Sequence, residues 1–141
     1  MGALSQVVPF GREHSNPPVI QEPAWDSPRT RQLAKRACFN CHSNETIWPW
    51  YSGIAPVSWL TQRDVNTGRS HLNFSEWNNP LSRPDDVVEE VQGGNMPPWF
   101  YLPMHPEAKL TPEEQSELVR GLQRSLAVSD NGASVTGASR N

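Results

Sequence analysis

The chain has few cysteines and few aliphatic residues, and these shortages exclude several classes of protein. Two of its 141 residues are cysteines, so no disulfide framework can hold the fold. Hydrophobic residues make up 35% of the chain, and no apolar run approaches the roughly 20 residues that span a bilayer. The net charge is -3 and no basic stripe is visible, which argues against nucleic acid as a partner. We therefore expect a soluble chain built around one domain.

Proline and tryptophan are abundant instead. Fourteen prolines are about twice the usual proportion, and six tryptophans are many for this length. This composition favours a loop-rich fold that packs around something other than its own aliphatic side chains. The distribution of prolines predicts an extended arm over residues 1–26 and a main domain over 27–128. Residues 129–141, rich in Ser, Gly, Asn and Ala, predict a disordered tail.

Helical periodicity and capping residues predict an all-α fold with long loops over 43–55 and 95–110. Ser27 and Thr111 each precede a proline as N-caps do, a capping box is expected over 82–85, and Gly93-Gly94 is typical of a helix end. The predicted helices run from Pro28 to about Asn40, from Pro56 to about Gly68, over 84–92, and from Pro112 to about Ala127. The first and the last of these helices are expected to pack together.

One motif carries specific chemistry. Residues 38–42 read Cys-Phe-Asn-Cys-His, the C-x-x-C-H pattern of covalent c-type haem attachment. Two thiols three residues apart can each add to one vinyl group of the same porphyrin, and the adjacent histidine can then reach the iron. We therefore predict one haem c, attached through Cys38 and Cys41, with His42 as an axial ligand.

Two other interpretations of the cysteines stay open. A thioredoxin-like dithiol also uses C-x-x-C, although it needs a βαβ context that this sequence does not predict. A tetrahedral zinc site could combine Cys38 and Cys41 with two histidines from His42, His71 and His105.

The second axial position of the iron needs its own candidate. Met96 lies in Gly-Gly-Asn-Met-Pro-Pro, where Pro97 forces it into extended backbone and the glycines permit close approach to a macrocycle. We predict Met96 as the distal ligand, the alternative being a methionine that fills the core. Met104 and His105 are weaker candidates, and His14 and His71 are expected on the surface.

Aromatic residues follow the attachment motif closely, and we expect them to pack around the haem. They are Trp48, Trp50, Tyr51 and Trp59. Alternatively, one indole N–H, or Arg63 or Arg69, could donate to a haem propionate.

With these residues in view, the chain resembles the bacterial haem-binding domain family and, more distantly, class I cytochromes c. The matching stretches are VPFGREHSNPPV, CFNCHSNETIWPWYSGIAPVSWLTQRDVNTGRSHLNFSEW, MPPW and HPEAKLT. The resemblance implies a cytochrome c-like helical domain and marks Cys38, Cys41 and His42 as the haem site. It places Met96 where class I cytochromes have their Met-Pro ligand. It also implies a periplasmic protein, or one anchored at the outer face of the cytoplasmic membrane, although residues 1–10 do not have the pattern of an export signal.

Two functions are compatible with these residues. A His/Met pair closes both axial positions and raises the reduction potential, which favours one-electron transfer between protein partners and assigns no catalytic residue. A haem sensor or a peroxidase-like enzyme would instead need an open or displaceable distal ligand and an acid–base residue beside it, for which His71 and His105 are the candidates.

Overall fold

The structure, a computed structural model, describes residues 4, 6–11, 14–78 and 85–137. Its α-helices are α1 Pro28–Ala37, α2 Phe39–His42, α3 Val57–His71, α4 Asp85–Gln92 and α5 Pro112–Gly137, with 3-10 turns at Trp50–Gly53, Leu102–Met104 and Pro106–Ala108. The β pairing in the described part is an isolated bridge between Gln21 and Glu76. The predicted all-α fold is confirmed. Among these helices, none is both long and apolar enough to cross a membrane.

The chain divides into two compact units. Unit one comprises Met1–Gln21 and Phe39–Ser82, and unit two comprises Glu22–Cys38 and Arg83–Asn141. The division falls between Cys38 and Phe39, inside the C-x-x-C-H motif. The predicted boundaries at residues 26 and 128 stay predictions.

Unit two is built on the packing of α1 against α5, as the sequence predicts. Leu33 of α1 and Leu118 and Leu122 of α5 are fully buried. Gly121 faces the buried side chain of Thr30, and a Cβ at Gly121 would overlap that side chain. The small residue therefore sets how closely the two helices approach.

Both predicted caps of these helices are present. The Ser27 hydroxyl accepts a hydrogen bond from the Thr30 amide at 3.3 Å. The Thr111 hydroxyl accepts from the Glu114 amide and the Glu114 carboxylate accepts from the Thr111 amide, both at 3.1 Å, which is a capping box.

Helix α4 also belongs to unit two and packs against α5. Val87 and Val91 are buried, and the Gln115 side chain donates to the Val91 carbonyl at 2.7 Å. Gly94 follows the helix with φ +74°, so Gly93-Gly94 ends it as predicted. Residues 82–84 of the predicted capping box lie outside the described residues.

Three predicted helix ends differ from the structure. Helix α1 ends at Ala37 rather than near Asn40, because the chain turns at Cys38 and begins α2 at Phe39. Helix α3 continues to His71, since Gly68 is an internal contact position and not a terminal glycine. Helix α5 is assigned to Gly137, where no proline interrupts the backbone. The predicted disordered tail over 129–141 stays a prediction, and its residues 138–141 lie outside the described residues.

Unit one has an aromatic centre surrounded by buried polar side chains. The Phe74 ring stacks on Phe39 at 5.7 Å and on Trp77 at 5.6 Å between centroids. Asn44 and Asn73 are buried and bonded to each other at 2.9 Å. The Asn44 side chain also donates to the Pro18 carbonyl at 3.1 Å, which ties the arm to this unit.

Candidate haem site

The attachment motif is held mainly by backbone hydrogen bonds within unit one. Phe39, the first residue of α2, is 1% exposed, and its carbonyl accepts from the Ser43 hydroxyl at 2.7 Å. The Phe74 amide donates to the His42 carbonyl, also at 2.7 Å. These contacts hold both ends of α2, the part of the motif from Phe39 to His42.

The His42 ring is oriented by the end of α3. Its Nδ1 lies 3.0 Å from the carbonyl oxygens of both Gly68 and Leu72. Carbonyl oxygens only accept, so Nδ1 carries the hydrogen and the lone pair of a neutral ring lies on Nε2. Burial lowers the pKa of His42, although both carbonyl hydrogen bonds oppose that shift. A neutral imidazole with Nδ1 bonded to a carbonyl is the form in which histidine ligates a metal.

Gly68 permits this arrangement by bringing α3 against the motif. A Cβ at Gly68 would overlap the Cys41 carbonyl and lie 3.0 Å from the Cys41 Cβ. Sequence reasoning missed this role and took Gly68 as a helix end. The sequence does contain a signal for this role. A glycine inside a helix costs about 1 kcal/mol of stability relative to alanine, so a glycine among residues that favour a helix indicates a close contact.

The surroundings of the cysteines weigh against the two alternative interpretations. Burial raises the pKa of Cys41 to about 11, with a smaller contribution from Asp64, whereas a redox dithiol needs a depressed thiol pKa. The all-α fold also lacks the βαβ context of such a dithiol. Within the described ranges, no three His, Cys, Asp or Glu side chains gather as a zinc site requires.

Met96 and Cys38 line the same cavity in unit two. The cavity has a volume of about 200 Å³. Its wall also includes the apolar residues Ala37, Val91, Leu102, Ala108, Leu110 and Leu118. Met96 follows the turn after α4, where its amide donates to the Glu90 carbonyl at 3.2 Å, and its side chain is 38% exposed. A cavity below the roughly 300–1,000 Å³ of most ligand pockets suits one apolar edge of a porphyrin rather than the whole ring.

The weaker ligand candidates lie elsewhere. Met104 is 57% exposed and is not among the residues that line this cavity. His105 is buried, stacks on Tyr101 at 3.9 Å and has Nδ1 3.2 Å from the Glu107 carboxylate. His14 and His71 are exposed, as expected.

The aromatic residues after the motif have different environments. Trp50 is 78% exposed, and Trp48 stacks on His14 and donates to the Asn16 side chain at 3.2 Å. The Trp59 indole nitrogen is buried with no acceptor among the described residues. Arg69 donates through Nε and Nη2 to protein acceptors, and Arg63 is exposed.

The family follows from a sequence comparison. The model of the haem-binding domain family matches residues 1–124, which is most of the chain. The chain belongs to the haem-binding domain family. No curated protein and no solved structure matches it. The match identifies a haem protein, and the hydrogen bonds of the His42 ring are compatible with that cofactor.

Proposed function

We propose that this haem-binding domain holds one haem c, bonded covalently through Cys38 and Cys41, and transfers single electrons between protein partners. In this proposal His42 is the proximal ligand through Nε2, and Met96 is the distal ligand. When bound, the haem supplies an iron that alternates between the ferric and ferrous states.

The fixed tautomer of His42 carries the proposal. The two carbonyls at the end of α3 hold the hydrogen on Nδ1, which leaves Nε2 available to iron without any change of protonation. The same carbonyls lie at the negative end of a helix dipole, so they strengthen the imidazole as an electron donor.

Met96 supports electron transfer rather than catalysis. It shares an apolar cavity with Cys38, as expected of a residue close to the haem edge to which that cysteine would bond. The Met96 thioether would hold the iron of a bound haem and would favour its ferrous state.

The contacts of the histidine side chains give less support to the competing function, a sensor or peroxidase. It needs a histidine free to act beside a bound peroxide. His105 is instead held within its own loop by Tyr101 and Glu107, and His71 is exposed at the end of α3.

We also propose that the protein works outside the cytoplasmic membrane, where haem c is normally attached. Its small negative charge suits a basic patch on a redox partner and a brief encounter.

Carbon monoxide and peroxide separate the two functions. With both axial positions occupied, the reduced protein should keep its optical spectrum under carbon monoxide, and the ferric protein should show no peroxidase turnover above free haem. Rapid carbon monoxide binding together with turnover would reject electron transfer as the main function.

A further inference from the structure

We propose that Arg69 is a positioning residue for the haem ligand His42, and that Asn16 of the N-terminal arm completes its site. The inference rests on the proposed function, because it requires His42 to ligate the haem iron. It assigns the arm a role in setting the properties of the haem.

The Arg69 guanidinium joins two segments of unit one to α3. Its Nε donates to the Ser43 carbonyl at 2.8 Å. The two N–H groups of its Nη2 are shared among three acceptors: the Thr46 hydroxyl at 3.0 Å, and the Ser15 carbonyl and the Asn16 side-chain oxygen at 3.1 Å each. Hydrogen bonds from a charged group are roughly twice as strong as neutral ones, so this is a stiff junction.

The position of Arg69 along the chain connects it to the iron ligand. Gly68 accepts from the His42 ring, and the next residue, Arg69, donates to Ser43, the residue after His42. Two consecutive residues of α3 thus hold two consecutive residues of the attachment segment. The Phe74 amide still holds the His42 carbonyl, so loss of the second contact frees the following peptide, that of the Ser43 carbonyl. We expect this to shift the segment against the end of α3 and to lengthen the Nδ1 hydrogen bonds.

Asn16 brings the arm into the same junction. Besides accepting from Arg69, its side-chain oxygen accepts from the Trp48 indole at 3.2 Å, and its amide donates to the Thr46 carbonyl at 2.8 Å. Asn16 therefore orients the guanidinium and holds the loop after the motif. Because it is neutral, its removal changes this geometry without changing the charge near the haem.

Two substitutions in the haem-loaded protein test the inference. Arg69→Lys keeps the charge but cannot reproduce the planar set of donors. Asn16→Ala removes the side-chain acceptor of the arm and leaves the Ser15 carbonyl. Both should weaken the Nδ1 hydrogen bonds and so reduce electron donation to ferric iron. We expect the ferrous-to-ferric ratio at the wild-type midpoint potential to rise at least about threefold. The NMR shifts of the ferric haem methyl groups, which depend on the histidine ring plane, should change as well.

Matched controls are Arg120→Lys and Ser70→Ala, at exposed positions of α5 and α3, and both should keep the wild-type midpoint and methyl shifts. If Arg69→Lys and Asn16→Ala lower stability yet keep those two signals, Arg69 is only structural and the inference is wrong. If Arg69→Lys does not fold, Asn16→Ala alone decides, because it leaves the guanidinium in place. Failure of the proposed function shows separately, as a wild-type spectrum without histidine ligation.

Discussion

Replacing Met96 with alanine is expected to open the sixth coordination position and to lower the reduction potential. Methionine stabilises ferrous iron relative to water or a nitrogen ligand. Axial ligands set haem potentials over a range of about 0.8 V, so the loss of one thioether should lower the potential by on the order of 0.1 V. The sulfur–iron charge-transfer band and the strongly upfield methionine methyl signal should disappear, and carbon monoxide should now bind the reduced protein.

Met104→Ala and His105→Ala are the controls for this substitution, since they remove the other candidates of the same loop. Both should retain the charge-transfer band and the upfield methyl signal. If the two signals persist in Met96→Ala, or are absent from the wild type, another residue ligates the iron or the position is open. The sensor or peroxidase hypothesis would then gain support over electron transfer.

Gly68→Ala is expected to destabilise the protein, against the intrinsic preference of helices for alanine. That preference favours alanine by about 1 kcal/mol, whereas overpacking of a tight contact costs about 1–3 kcal/mol and sometimes more. The new Cβ would overlap the Cys41 carbonyl, a backbone atom that cannot rotate away. After the helix preference is subtracted, we expect the free energy of unfolding to fall by about 1–2 kcal/mol, as measured by denaturant titration, and the yield of haem-loaded protein to fall with it.

Gly53→Ala is the matched control, because a Cβ at Gly53 meets no atom within 4 Å. Its free energy of unfolding should stay within about 0.5 kcal/mol of the wild type. Equal stability of Gly68→Ala and Gly53→Ala would show that α3 does not pack against the motif as described.

Local signals in the sequence predicted those parts of the fold that depend on neighbouring residues. The cap at Ser27, the capping box of Thr111 and Glu114, and the Gly93-Gly94 helix end each require contacts within a few residues. All three are present in the structure.

Contacts between distant residues account for what the sequence could not predict. The stacking of Phe39 on Phe74, the packing of Gly68 against Cys41, and the four acceptors of Arg69 depend on pairs 23 or more residues apart. Motif chemistry predicts Cys38, Cys41, His42 and Met96 as candidate site residues, and these stay predictions. It could not show that carbonyls at the end of α3 fix the His42 tautomer. Hydrophobic periodicity does not predict which helix end contacts which side chain.

The central claim is covalent attachment of one haem through Cys38 and Cys41, and mass spectrometry after acid–acetone extraction tests it most directly. The protein is isolated from a host that attaches haem c, extracted, and weighed intact. We expect the colour to stay with the polypeptide and the mass to exceed that of the chain by one haem. The double variant Cys38→Ala/Cys41→Ala should have the mass of its polypeptide alone. A wild-type chain that releases its haem into acetone and has the mass of the polypeptide alone would contradict the claim.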